Sequence, residues 1–117
     1  MLNQIEAALK TICDVVVYGT ILPKDLEGRD RWEFIVFRRS SLVYANGRIY
    51  QQYEVSYCDE EYIREGIEED IINAMKTLNI FQDKNSTIDY DVVRKGDTNA
   101  RCEIVTITFK KKIGEYC

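Results

Sequence analysis

The chain has 117 residues, of which 45% are hydrophobic and 31% charged, with one Pro and six Gly. This length predicts one domain, residues 1–117, and this composition excludes a disordered or low-complexity protein. The formal net charge of −4 lacks the basic surplus of free DNA- or RNA-binding domains, so we expect no specific nucleic-acid partner.

The first half of the chain predicts one helix and three strands. Apolar residues recur at the spacing of one face of a helix of about three turns: Leu2, Ile5, Leu9 and Ile12. The stretch DVVVYG is typical of a short buried strand, and residues 20–31 predict a long loop. Because Asn and Gly tolerate positive φ, Asn46-Gly47 predicts a β-hairpin over residues 31–58.

The second half predicts another helix and two more strands. Asp59 is a good N-cap with two Glu residues after it, and the apolar spacing predicts a helix that ends near Asn79. The stretch FQDKNS predicts a loop, and strands are expected at residues 86–95 and 101–112. The order α-β-β-β-α-β-β predicts an α+β fold, a mostly antiparallel sheet with both helices packed on one face.

The residue types offer little for catalysis. The chain has no His, so Ser-His-Asp and Cys-His arrangements are unavailable and no zinc site is expected. Asp89 and Asp91 lie on one strand face and could share a Mg²⁺ ion, yet the same spacing describes the solvent face of any polar strand. We therefore expect no enzyme activity, no catalytic residue, no metal and no cofactor. The cysteines form no Cys-x-x-Cys pair and predict free thiols: Cys13, Cys58, Cys102 and Cys117.

The strand within RWEFIVFRRSS, residues 31–41, is apolar on both faces. Trp32 and Phe34 point to one side, and Ile35 and Phe37 point to the other. Two helices can cover one face, so we expect the bulkier Trp32 and Phe34 in the core and the other pair against a neighbouring subunit. The alternative is that the loop at residues 19–31 folds over the second face. The predicted interface comprises Ile35, Phe37, Arg38, Arg39, Asn46 and Arg48.

Several stretches together resemble a known family. The element order, the strand WEFIVFRR, the hairpin into YQQYEVSY, the acidic start of the second helix and the closing strand EIVTITFKKK resemble the small tail terminator, or tail completion, proteins of tailed bacteriophages and prophages. The resemblance implies a structural protein of the virion, located at the neck and assembled in the cytoplasm of a bacterial host. It implies a ring of identical subunits, commonly a hexamer, that caps the tail tube protein and joins it to the head–tail connector protein.

Three other classes of function stay open. A head–tail connector adaptor would belong to the same neck, and a module that binds a host factor would also use an exposed sheet face. A small metal-dependent nuclease would use Asp89 and Asp91. The N-terminus has no signal-peptide pattern, and no apolar run reaches membrane-spanning length, so we expect no membrane partner.

Overall fold

Residues 1–116, the part of the chain that the computed structural model describes, form one six-stranded sheet, two α-helices and one 3-10 helix. The α-helices are α1 (Leu2–Leu9) and α2 (Ile67–Lys76), and the 3-10 helix is Pro23–Leu26. The strands are β1 (Val16–Tyr18), β2 (Glu33–Ala45), β3 (Arg48–Glu60), β4 (Phe81–Gln82), β5 (Asp89–Arg94) and β6 (Arg101–Glu115).

The sheet is built around the pair β3 and β6. Strand order is β1-β2-β3-β6-β4, and β5 also pairs with β6. β1 runs parallel to β2, and every other pair is antiparallel. The predicted α+β fold with a mostly antiparallel sheet is confirmed, and so is the hairpin of β2 and β3. Among residues 1–116, no helix is long and apolar enough to cross a membrane.

The hairpin turns at the predicted dipeptide. Asn46 has φ 52° and Gly47 has φ 75°, the two positive values that a tight hairpin turn requires. A Cβ atom at Gly47 would also meet the carbonyl oxygen of Tyr116 at 3.4 Å. Gly47 is therefore favoured by its backbone conformation, while the added Cβ atom would be in van der Waals contact with the end of the chain after β6.

Both α-helices pack on the same face of the sheet, as predicted. Ile5 and Leu9 of α1 and Ile71 of α2 are completely buried in one cluster. The sheet supplies the floor of this core with side chains from four strands: Val16, Ile35, Phe37, Tyr53, Val55, Tyr57, Val105, Ile107 and Phe109. Ile35 and Phe37 thus lie under the helices, so their predicted place at a subunit interface is wrong.

A β-bulge at Ser40 explains this reversal of faces. From the turn to Ser41, β2 and β3 pair without interruption, but the register shifts by one residue between Ser41 and Arg39. A shift of one residue sends every later side chain to the opposite face. Ile35 therefore pairs with the buried Tyr57, whereas an unbroken register would place it opposite Cys58.

The second face of β2 is covered by the loop, the alternative considered above. Phe34 and Trp32 pack in a smaller cluster with Leu26 of the 3-10 helix and with Ile21. Phe34 is buried and Trp32 is partly buried, so the expectation that this pair lies under the α-helices is wrong. A second copy of the chain is not needed to cover this part of the strand.

The second α-helix begins later than predicted. Asp59 is not its N-cap but a buried residue of β3, where it accepts from Arg31 Nε at 3.1 Å. β3 stays paired with β2 or β6 as far as Glu60, so the chain leaves the sheet before it can coil. Gly66, predicted inside the helix, is the N-cap residue with φ 90°. The expected loop FQDKNS also contains β4, a two-residue strand beside β6.

The described cysteines are free thiols, as expected. Cys13, Cys58 and Cys102 are buried and unbridged, and Cys117 lies outside the described residues. Burial raises the pKa of the Cys13 thiol to about 11, and it also raises the pKa of Cys58 and of Cys102. A thiol held protonated in this way is a poor nucleophile.

Candidate functional site: an uncovered sheet arm

The strands of the hairpin are much longer than the helices that cover them. α1 has 8 residues and α2 has 10, so they extend about 12 and 15 Å. β3 has 13 residues and β6 has 15, which corresponds to about 40 to 50 Å of extended chain. The molecule measures 54 Å along its longest axis and about half that across. The helices therefore cover one part of the sheet and leave the rest projecting.

The projecting part is a three-stranded extension that we call the arm, residues 41–52 and 110–116. It contains the ends of β2 and β3, their turn, and the end of β6. Along β3 towards the turn, Tyr53 is the last residue of the main core among the described residues. Within residues 1–116, no buried side chain of α1 or α2 continues that core over the arm. The arm is therefore held in place by its strand hydrogen bonds and by its own side chains, and its base is also held by residues outside it: Gln52 donates to Asp83, and Lys111 donates to the carbonyl of Leu78.

One face of the arm is apolar and exposed. Leu42, Tyr44 and Ile49 lie on the side that continues the helix-covered face, since Tyr44 pairs with Ile49 and both keep the alternation of Tyr53. Leu42 is 51% exposed and Tyr44 is 61% exposed. Tyr116 meets Tyr44 edge to face, with ring centroids 5.6 Å apart. These four residues form an apolar patch at a point where the sheet has no second layer.

The arm is also basic. It carries Arg48 and three consecutive lysines, residues 110–112, against one carboxylate, Glu115. Lys112 pairs with Glu115, and the Nζ atom of Lys110 lies 5.2 Å from the ring centroid of Tyr50. Lys111 donates to the carbonyl oxygen of Leu78 at 2.9 Å, which leaves its charge unneutralised. Charged side chains along a sheet edge also discourage uncontrolled strand pairing.

The predicted interface residues do not form one surface. Ile35 and Phe37 are in the core, whereas Asn46 and Arg48 are at the tip of the arm. Arg38 lies between them on the opposite face of the sheet, in an ion pair with Glu54. The predicted set thus divides into core residues, residues at the base of the arm and residues at its tip.

Arg39 forms part of the edge of the sheet, near β1. Its backbone N–H and its Nε both donate to the hydroxyl of Tyr18, at 3.3 and 3.4 Å. The guanidinium of Arg39 lowers the pKa of Tyr18 through this hydrogen bond. Tyr18 in turn packs edge to face on Phe37, with centroids 5.3 Å apart, so Arg39 acts as a local support for the base of the arm.

An apolar cavity lies at the end of the molecule opposite the arm. A cavity of about 480 Å³ is lined by apolar residues of the 3-10 region and by Trp32 and Gly96. The Nζ atom of Lys95 lies 5.8 Å from the ring centroid of Trp32, one of the lining residues, and it also pairs with Glu60. This hydrogen-bonded ammonium lowers the pKa of Glu60. The cavity is built around packing of the loop and has few polar groups, so it offers no catalytic constellation.

The two carboxylates that could share a metal ion lie on an exposed strand. Asp89 and Asp91 belong to β5, where every residue is exposed. One oxygen of Asp89 accepts from Thr87, and one oxygen of Asp91 accepts from the N–H of Val92. Within residues 1–116, no group of three or more His, Cys, Asp or Glu side chains is arranged to hold a metal ion.

Sequence reasoning missed the apolar patch of the arm, Leu42, Tyr44, Ile49 and Tyr116. The signal was available in the lengths of the elements. Long alternating strands beside short helical stripes predict a sheet that outruns its helices. Residues 38–41, two Arg followed by two Ser, resemble a strand end and hide the continuation of β2 to Ala45.

No model of a known protein family and no curated protein matches this sequence.

Proposed function

We propose that this protein is a structural subunit that associates with copies of itself into a ring, and that it serves as a tail terminator in the neck of a tailed phage or prophage. The observation that supports this proposal is the arm. A sheet extension with an exposed apolar face and no covering layer is typical of a surface that a partner buries.

The same proposal gives the arm its partners. Full burial of an exposed Leu or Ile side chain contributes about 1.5–3 kcal/mol. Leu42 is already about half buried and contributes less, and each subunit of a ring repeats the contribution. The ring would cap the tail tube protein on one side and meet the head–tail connector protein on the other. The protein would then be part of the virion, after assembly in the bacterial cytoplasm.

The mass of the protein in solution tests self-association. We expect light scattering after size-exclusion chromatography to show a closed oligomer, alone or after addition of purified phage tails that lack their terminator. Leu42→Asp should abolish the oligomer and leave a folded monomer. The matched control is Leu22→Asp, which introduces the same charge at another exposed Leu, outside the arm. A wild-type protein that stays monomeric under both conditions contradicts the proposal.

A binding comparison separates the terminator from the connector adaptor. The terminator role predicts that the protein sediments with purified tails in the absence of heads, and that Leu42→Asp does not. Binding to purified heads but not to tails would favour the adaptor. The nuclease alternative predicts cleavage of DNA with Mg²⁺ or Mn²⁺ that is lost in both Asp89→Ala and Asp91→Ala, and we expect intact DNA with all three proteins.

A further inference from the structure

The charges of this protein are segregated along its length. The arm and its base, residues 38–52 and 110–116, contain six Lys and Arg residues and one carboxylate. Residues 59–70 contain seven carboxylates and one Arg. A chain with a net charge of −4 thus has one strongly basic end and one strongly acidic segment. A long separation of opposite charge produces fields that orient approaching molecules.

The two charged regions cannot meet within one chain. β3 connects them, with Arg48 at the tip of the arm and Glu60 at the other end. Twelve strand steps separate these residues, which corresponds to about 40 Å. The strands are rigidly paired on both sides, so the arm cannot fold back. Asp59, Glu60 and Asp70 already pair with cations of the same chain. The carboxylates of this segment that face an outside partner are therefore Glu61, Glu65 and Glu69.

The acidic segment also has exposed aromatic residues. Tyr62 is 71% exposed and stands between Glu61 and Glu65. Tyr90 of β5 is exposed and donates its hydroxyl to Glu68 of α2 at 2.7 Å. This region, which we call the acidic end, therefore has aromatic side chains among carboxylates. The arm offers the opposite charge beside an apolar patch, but on two faces. The patch continues the helix-covered face, whereas Arg48, Lys110 and Lys112 lie on the other face of the arm.

The acidic end is one continuous surface. The N–H of Ile63, beside Tyr62, donates to Glu103 Oε1 at 2.9 Å. Glu103 pairs with Val92 of β5, an exposed residue two positions from Tyr90. The segment 59–70 and β5 are thus joined through Glu103, on the side of the sheet that holds α2. An aromatic centre with a charged rim is a common composition for a protein–protein interface.

We propose that the arm of one copy lies on the acidic end of a second copy, so that subunits join head to tail. The inference rests on the proposed function, because it names the partner of the arm. Two different surfaces take part, which makes the contact heterologous. Repetition of a heterologous contact closes into a ring when the rotation per subunit divides a full turn. Charge complementarity would set the order of subunits and speed their encounter.

A polyanion is the competing occupant of the basic arm, and the chain as a whole disfavours it. DNA would meet the arm favourably but would be repelled by the acidic end and by the negative net charge. A second copy offers attraction at both of its ends. The test below includes duplex DNA as a probe for this reason.

A charge-swap experiment tests the inference. The arm variant combines Arg48→Glu with Lys112→Glu, and the end variant combines Glu61→Lys with Glu65→Lys. All four side chains are exposed, so both variants should fold, as circular dichroism would verify. We expect each variant alone to associate at least tenfold more weakly than wild type. An equimolar mixture should recover the oligomer, because the reversed arm then meets the reversed acidic end and the two unchanged surfaces meet each other.

A matched control keeps the change in net charge and moves it elsewhere. Lys24→Glu with Arg29→Glu reverses two exposed cations on the 3-10 side of the sheet, and this protein should associate as wild type does. The wild-type oligomer should also weaken at least tenfold as NaCl rises from about 0.05 to 0.5 M, since salt screens exposed charges.

Each other result overturns the inference in a recognisable way. An end variant that assembles normally while the arm variant does not indicates an arm-to-arm contact. Loss of assembly in both variants without recovery in the mixture rejects the pairing of the two surfaces. A shift of labelled duplex DNA by wild type but not by the arm variant assigns the arm to nucleic acid. A wild type that never oligomerises, even with tails, rejects the proposed function as well, whereas an oligomer insensitive to all swaps rejects this inference alone.

Discussion

Strand β3 passes through two environments and allows a direct comparison between them. In the body of the molecule its residues Tyr53, Val55 and Tyr57 are buried beneath the α-helices. In the arm, Ile49 and Gln51 continue the same face without that cover. Both halves are hydrogen-bonded to β2 and β6. Strand pairing thus carries this sheet beyond its core, while burial of apolar area stabilises only the covered half.

The largest expected effect is the difference in stability between an Asp introduced into the body and an Asp introduced into the arm. Phe37→Asp should prevent folding, because it places an unpaired carboxylate in a core that has no partner for it. Leu42→Asp changes an exposed side chain five residues further along β2. The free energy of unfolding of this monomer should lie within about 0.5 kcal/mol of the wild-type value. Urea denaturation followed by circular dichroism measures both. A folded Phe37→Asp protein would show that the face assignment of β2 is wrong.

Hydrogen exchange should show the same contrast in one protein. In the monomeric Leu42→Asp variant, amides of residues 53–58 should exchange at least a hundredfold more slowly than amides of residues 43–45. The reason is that the arm can open locally, whereas the body exchanges through global unfolding. In the wild-type oligomer the arm amides should become protected. Equal exchange rates in the arm and the body of the monomer would mean that the arm belongs to the same cooperative unit.

Alkaline pH should lower the free energy of unfolding through groups in the body of the molecule, and the arm should not contribute to this change. Burial raises the pKa of Cys13 to about 11 and also raises the pKa of Cys58 and Tyr57. These groups keep their protons in the folded state, while an unfolded thiol loses its proton near pH 9. The contribution of each thiol is therefore complete below that pH and is lost as the pH rises, by up to about 1.4 kcal/mol per pH unit. The loss from Tyr57 begins only near pH 10, where an unfolded tyrosine loses its proton.

Urea midpoints from pH 7 to 10 measure this slope. Replacement of Cys58 by Ala should reduce the slope above pH 9, because one titrating group is removed. The Leu42→Asp monomer should keep the wild-type slope, because the three groups lie outside the arm. A midpoint that does not change up to pH 10 would show that these thiols ionise equally in the folded and unfolded states.

The smallest expected effect is at the turn. Gly47→Ala forces a side chain into positive φ and against the carbonyl oxygen of Tyr116, at a local cost of about 1–2 kcal/mol. The melting temperature should nevertheless fall by less than about 2 °C, because the turn is remote from the core. Faster exchange at residues 43–50 should report the local change. A large fall in melting temperature would mean that the turn is needed for the whole fold.

Much of the architecture was predictable from sequence. The Asn46-Gly47 turn, the helical stripe of α1 and the strand texture of β6 all led to correct elements, because each has a local physical cause. The faces of β2 were not predictable in this way, since a single extra residue at Ser40 reverses them. The start of α2 was missed because Asp59 suits a helix cap, whereas pairing on both sides keeps it in the sheet. The arm patch was missed because Arg38-Arg39-Ser40-Ser41 resembles the end of a strand, although β2 continues to Ala45.

The position of β6 in the sheet has a consequence for how the chain reaches its fold. β6 pairs with β3, β4 and β5, and β4 and β5 have no other strand beside them in residues 1–116. Its contacts with β3 span long stretches of sequence, since Ser56 meets Thr106 across 50 residues. Closure of such long loops slows folding, typically to milliseconds or seconds. We expect the local β2–β3 hairpin to form before β6 pairs with it, and the pairing of β6 to close the core and give the arm its third strand.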